Sequence, residues 1–152
     1  TSNVTNMGWM FYGCESLKTL NVSTWNTSKV TNMSYMFCGL KNLTNLNVTN
    51  FNTSNVTDMQ GMFSRCENLN SIDVSNFNTS RVTNMYMMFA YNDGLTSLDL
   101  RNFDTNKVTN VKYMFLLSRN LKTIYVGSKW TTANADTTDM FSGCGTSSVT
   151  RV

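Results

Sequence analysis

One interval governs this sequence. Val4, Val30, Val56, Val82 and Val108 follow one another at 26 residues, as do Met10, Met36, Met62, Met88, Met114 and Met140, and Phe11, Phe37, Phe63, Phe89, Phe115 and Phe141. A period of roughly 20 to 50 residues held through most of a chain means one supersecondary unit stacked on copies of itself, each touching mainly its neighbours. That predicts a solenoid, and it predicts atypical ends, since a single unit cannot bury its apolar face alone. Residues 1–127 read as about five stacked repeats, the first truncated because Thr1-Ser2-Asn3-Val4 aligns with Thr27-Ser28-Lys29-Val30. Within residues 128–152 Trp130 falls one residue late and Thr137 replaces methionine, so this segment reads as a degenerate C-terminal capping repeat.

Two hydrophobic rhythms alternate inside each unit. Val30, Met33, Met36, Phe37 and Leu40 have the spacing of one helical face, with Ser28 and Thr31 available as caps, and predict a short helix. Leu43, Leu46 and Val48 switch towards alternation, as do Leu17/Leu20/Val22, Leu69/Ile72/Val74, Leu95/Leu98/Leu100 and Leu121/Ile124/Val126, and predict a strand. The expected fold is an α/β solenoid: a right-handed, leucine-rich-repeat-like stack with one short parallel strand and one short helix per 26-residue repeat.

The segment L-x-x-L-x-V followed by F/W-N/D-T-S-x-V-T-N-M-x-x-M-F, seen for example from Asn52-Thr53-Ser54 through Val56 to Met62-Phe63, recurs in five near-copies. It resembles the 26-residue leucine-rich repeats of BspA-like bacterial surface proteins. The resemblance implies an exported, surface-attached protein whose repeats take part in adhesion, and it carries over no catalytic or metal-binding residue. Composition is compatible with this. Hydrophobic residues make up 41% of the 152, enough for one continuous core, while only 14% are charged and Pro and His are absent. A polar, weakly charged surface of this kind is commoner outside cells than inside. The formal charge of +3 comes from scattered Lys and Arg, which argues against nucleic acid as a partner. No run of 18 apolar residues offers a membrane span, so this segment is not expected to insert into a bilayer directly. Thr1, standing where Met would start a complete product, suggests a fragment of something longer.

Strand residues facing away from the core should form columns, and these vary where the core columns do not. Asn21, Asn47, Asp73, Asp99 and Tyr125 make one; Ser23, Thr49, Ser75, Arg101 and Gly127 another. Chemical variety concentrates in Asp73, Asp99, Arg101, Lys122 and Tyr125, a polar and aromatic set suited to an extracellular protein or glycan. Asp73 and Asp99, expected on adjacent rungs, have the spacing of a carboxylate pair but no further catalytic group, so neither catalysis nor a resident metal or cofactor is expected. A second surface, around Tyr91, Tyr113, Leu116 and Leu117, is too apolar for solvent alone and is a candidate partner patch. Asparagine columns such as Asn6/Asn32/Asp58/Asn84/Asn110 and Asn26/Asn52/Asn78/Asp104 are expected at turns, bonding to the backbone of the neighbouring rung. Cys14, Cys66 and Cys144 share a core phase two or more rungs apart, beyond disulfide reach, and buried thiols are expected. No His accompanies them to activate a thiolate.

The expected function is a non-enzymatic recognition or adhesion module at the cell surface, binding host or neighbouring-cell macromolecules along an extended face. The alternative is a structural stalk or spacer presenting another domain of a larger surface protein. The threonine columns Thr27/Thr53/Thr79/Thr105 and Thr5/Thr31/Thr57/Thr83/Thr109 raise ice binding as a third class, disfavoured because two columns flanking a turn do not make a plane.

Overall fold

The computed structural model describes residues 1–152 and contains no α-helix. Its only strands are β1 (Ser97–Leu100), β2 (Thr123–Val126) and β3 (Thr150–Arg151), joined in one parallel sheet of that order. Of 65 backbone hydrogen bonds only 5 lie within these elements, so turns and coil-to-coil bonds carry the rest of the backbone. The expected α/β solenoid, with a helix in every repeat, is therefore overturned.

The reason lies in where the amide protons go. In an α-helix each N–H bonds four residues back along its own segment. Here the N–H groups of Met33, Tyr35, Phe37 and Gly39 instead donate to the carbonyls of Asp58, Gln60, Met62 and Ser64 in the next coil, at 3.0, 2.7, 3.0 and 2.9 Å. The intervening Met36 and Cys38 donate three residues back, each at 3.2 Å. Two residues per coil also adopt left-handed backbone. One column is Trp9, Tyr35, Gly61, Met87, Tyr113 and Asp139; the other is Gly13, Gly39, Arg65, Tyr91, Leu117 and Gly143, with φ between 51° and 80° throughout. A left-handed non-glycine residue costs about 1–2 kcal/mol, and no helix runs through one. These persist because backbone bonds to neighbouring coils, on both sides for Tyr35, Arg65, Met87, Tyr91, Tyr113 and Leu117, over-determine them.

Each coil is closed instead by a series of tight turns. Val30 donates to Thr27 (3.0 Å), Met36 to Met33 (3.2 Å), Leu43 to Leu40 (3.1 Å) and Phe51 to Val48 (3.0 Å). All eight of these residues are buried. The two ends of each turn thus face the core while the chain between them swings outward. Three of the four turns are preceded by Asn, whose side chain accepts the N–H two residues on: Asn26 from Ser28 (3.0 Å), Asn32 from Ser34 (2.8 Å) and Asn47 from Thr49 (3.0 Å). This Asx-turn chemistry explains why N-T-S, T-N-M and N-V-T recur. It also corrects the expectation for these asparagine columns, whose side chains brace their own coil and do not bond the backbone of the next; Asn84 reaches a neighbouring coil only through the Gln60 side chain, at 2.8 Å.

The bonds between coils come from other side chains. The hydroxyls of Thr27, Thr53 and Thr79, each 1% exposed, donate to Asn52, Asn78 and Asp104 carbonyls at 3.0 Å and accept the N–H of the same residues at 2.8 Å. One of the two supposed ice-binding ladders is therefore sealed inside. Asn50 reaches the carbonyls of Val22 and Trp25, each at 3.1 Å, and Asn76 those of Thr49 and Phe51. Parallel backbone bridges link Asn6, Asn32, Asp58, Asn84, Asn110 and Asp136 into one continuous ladder. Residues 128–152 take part in it through Asp136, and β3 adds the last parallel strand beside β2.

The core is one cluster of 36 buried apolar residues. A phenylalanine column runs through it, with Phe11, Phe37, Phe63, Phe89, Phe115 and Phe141 stacked at centroid spacings of 5.5 to 6.1 Å. Beside it lies a buried polar column. Cys66 Sγ, Asn92 Nδ2 and Ser118 Oγ donate to the carbonyls of Phe37, Phe63 and Phe89 at 3.1, 2.9 and 2.8 Å. Every buried side-chain polar atom has a partner. Burial pushes the Cys66 thiol up to about 12. All four cysteines are free; Cys38 and Cys66 are buried, but Cys14, expected inside, is exposed.

Candidate functional site

The strand side of the last coils gathers the most varied chemistry. In β1 and β2 the inward residues Leu98, Leu100, Ile124 and Val126 are buried, which forces Asp99 and Tyr125 outward as register partners on adjacent strands. Arg101 follows β1 and folds back on Asp99. Its Nε lies 2.9 and 3.0 Å from the two carboxylate oxygens and its Nη2 2.6 Å from Oδ2, while its backbone N–H donates to Oδ1 at 3.1 Å. The Arg101 guanidinium holds the Asp99 carboxyl below the usual carboxylate range, and Asp99 in turn raises Arg101. With Ser97, Tyr125 and Val152 this pair lines an open depression of about 340 Å³.

The five residues expected to form the site are thus divided. Asp99, Arg101 and Tyr125 come together. Asp73 lines a neighbouring shallow concavity with Asn47, Thr49 and Ser71, where Ser75 beside it lowers its pKa by hydrogen bonding. Lys122, exposed, does not line the depression; its backbone N–H bonds the Thr96 carbonyl at 2.9 Å. Val152 enters from the residue after β3; the 26-residue period puts it in the inward column of Val126, but β3 pairs Val126 with Arg151, one residue short of the period, so Val152 falls outside that column.

A carboxylate committed to a bidentate guanidinium and held ionised is poorly suited to donate a proton near neutral pH. What the depression offers is a planar, charge-balanced pair with unused donors beside an aromatic ring, a surface for polar recognition. No group of three or more His, Cys, Asp or Glu side chains is assembled that could hold a metal ion.

The proposed partner patch has a different character. Tyr91, Tyr113, Leu116 and Leu117 are all half-buried. The Arg65 guanidinium lies 4.4 Å from the Tyr91 ring centre, and Lys112 lies 5.0 Å from that of Tyr113, which also meets Tyr86 edge-on at 5.7 Å. Leu117 closes over Gly143. These side chains mostly cover their neighbours. On this side the freely exposed aromatics are Trp9 and Tyr12, each 53% exposed and packed with Tyr35. The charged column Glu15, Lys41, Glu67, Asp93 and Arg119 pairs between coils through Lys41–Glu15 at 2.8 Å and Arg119–Asp93 at 2.7 Å.

Coils bonded one period apart, largely apolar inside and polar and varied outside, define a repeat protein. The chain belongs to the family described as Mycoplasma protein of unknown function, DUF285, whose model matches residues 1–71 and 39–150. No curated protein and no solved structure matches it. No helix is long and apolar enough to cross a membrane.

Proposed function

We propose that this chain is a non-enzymatic recognition module of a bacterial surface protein of the BspA-like kind, acting outside the cell and binding an extracellular protein or glycan along its strand side. One observation carries the reading: on the strand side the inward columns stay apolar from coil to coil, as in Leu46, Ile72, Leu98, Ile124 and Val48, Val74, Leu100, Val126, whereas the outward column Asn21, Asn47, Asp73, Asp99, Tyr125 changes in chemical character, and its change converges on the Asp99–Arg101–Tyr125 depression. A face that served only as solvated spacer has no need of an exposed tyrosine, 37% accessible, beside a fixed ion pair. Tyrosine and arginine are also the residues that most often dominate interface energy. The resemblance of the repeat to adhesive surface proteins supports the same reading.

The test is direct binding of the chain to arrays of extracellular-matrix proteins and glycans, with the double variant Asp99→Ala, Arg101→Ala and the single variant Tyr125→Ala alongside. Specific binding weakened about 30-fold or more by either, as expected of an interface anchor, supports the module. Absence of binding across broad arrays favours the stalk or spacer, to which a stack tied by backbone bonds at every junction is well suited.

A further inference from the structure

The strand side carries a row of polar atoms that bonds within each coil hold in place. Asn47 is pinned through Oδ1, which accepts the Thr49 N–H at 3.0 Å and the Thr49 hydroxyl at 2.7 Å, and its Nδ2 donates to nothing. One coil on, the Ser75 N–H pins Asp73 through Oδ1 at 3.0 Å and leaves Oδ2 open. Hydrogen bonding from Ser75 also holds that carboxyl below its ordinary range, so it is an acceptor at neutral pH. A further coil on, Asp99 occupies Nε and Nη2 of Arg101 and leaves Nη1 without a partner. Tyr125, exposed beside Asp99, follows on the next strand. The row borders two open recesses, of about 270 Å³ at Asn47, Ser71 and Asp73 and about 340 Å³ at Asp99, Arg101 and Tyr125.

We propose, resting on the reading of this side as a recognition face, that its ligand is an uncharged oligosaccharide laid across the coils, one sugar ring on Tyr125 and hydroxyls on Arg101, Asp73 and Asn47. Hydroxyl groups both donate and accept, so one ligand of this kind satisfies the donors Asn47 Nδ2 and Arg101 Nη1 together with the acceptor Asp73 Oδ2. Because turn bonds already fix Asn47 and Asp73, binding costs them little rotamer freedom. The flanking outward residues, Asn45, Ser71 and Ser97 on one side and Thr49 and Ser75 on the other, are exposed hydroxyls and an amide. A protein partner needs an apolar, aromatic-rich core to its contact, which Tyr125 alone does not supply. Charge points the same way. Asp99 and Arg101 neutralise each other, which leaves Asp73 as the one uncompensated charge in these columns, enough to disfavour an acidic chain and too little to select a basic one. From Asn47 to Tyr125 the row crosses three junctions, roughly 14 Å at strand spacing, a length that calls for several sugars in a chain.

The test is binding of the 152-residue chain to uncharged cello-, manno- and N-acetylchito-oligosaccharides, with oligogalacturonates as anionic probes and extracellular-matrix proteins alongside. Expected is binding to at least one uncharged series, tighter for longer chains than for the disaccharide and unchanged between low and high salt. Tyr125→Ala should weaken it about tenfold or more. Asn47→Asp and Asp73→Asn separate recognition from folding, since both residue types occur in this column and brace the same turn. Each keeps the turn and exchanges an outward donor for an acceptor or the reverse, and each should weaken binding about fivefold. Residues that served only as turn braces would leave binding unmoved. Binding confined to proteins or to oligogalacturonates, or uncharged-sugar binding that none of the three variants changes, overturns the oligosaccharide and leaves a recognition module standing. Binding to none of the probes overturns both.

Discussion

The turn side and the strand side of this molecule hold the same coils together by different means. On the turn side the backbone does it, with four N–H···O=C bonds at every junction from Met7 to Ser142. On the strand side paired strands occur only among β1, β2 and β3; between Leu20-Asn21-Val22 and Leu46-Asn47-Val48 there is no backbone bond, and Asn50 and Asn76 amides span the coils instead. Asparagine and aspartate in the outward column disfavour a strand, and the pairing begins at the junction where Tyr125 takes the place of asparagine or aspartate in that column. The lesson is that a repeated coil needs only one fully bonded edge to set its register. The other side is then free to vary in sequence, and that is where the candidate recognition residues stand.

The comparison is broken most severely by removing what both sides share. Phe63 is fully buried and stacked between Phe37 at 5.8 Å and Phe89 at 5.6 Å. Phe63→Ala should cost about 3–5 kcal/mol, a large part of the stability of a domain this size, and chemical denaturation should show it. Ile72→Ala on the strand side, where Ile72 is only half-buried, should cost visibly less. Equal losses would mean that the two sides are not mechanically distinct.

A smaller effect is expected from the threonine clamp. Thr53→Val keeps the shape but leaves both the N–H and the carbonyl of Asn78 without their buried partner, a loss of about 1–3 kcal/mol. Hydrogen exchange should quicken at Asn78 more than at the turn-side amides of Met59 and Phe63 if the two edges open separately.

Glycines on the turn side separate strain from contact. A methyl group on Gly13 (φ 70°) would meet nothing within 4 Å, whereas one on Gly61 (φ 59°) would collide with the Tyr35 ring. Gly13→Ala should therefore cost about 1–2 kcal/mol from backbone strain alone, and Gly61→Ala more, by displacing Tyr35 from its bond with Gln60. Thermal melts of the two variants give the difference directly.

Much of this was written in the sequence. The period located the main apolar columns, and Val30, Met33, Met36, Phe37 and Leu40 are indeed buried together, though it did not mark the buried Thr27, Thr53, Thr79 and Thr105 as interior. Their spacing, however, is shared by two structures. A helix brings residues three and four apart to one face, and so does a succession of tight turns whose ends, three residues apart, both point inward. The clue that decides between them is backbone handedness, and the residues that adopt it include Tyr35, Arg65, Met87 and Leu117, which carry no sequence signature of the left-handed state as glycine does. The asparagines were legible as turn residues but not as to which coil they brace, because an Asx turn and an inter-coil ladder ask for the same side chain. At the site, alternation placed Asp99 and Tyr125 outward correctly, while the fold of Arg101 onto Asp99 is a choice of rotamer that no spacing encodes.

The smallest expected effect tests whether the strand side contributes to stability at all. Asp99 is held below its ordinary pKa of 3.8, first by the Arg101 guanidinium. A carboxyl depressed in the folded state stabilises above its unfolded pKa, and that contribution disappears as pH falls through the folded value. Stability should therefore be level near neutrality and decline below about pH 4, with Asp99→Asn showing a shallower decline than the parent. Because the pair is exposed, its share should fall below that of every substitution above and should shrink further in high salt. A variant whose acid profile overlays the parent's would mean that the ion pair is energetically idle in the free protein. Its geometry would then matter only for what docks on it, a result that would strengthen the division between a turn side that holds the coils and a strand side that presents them.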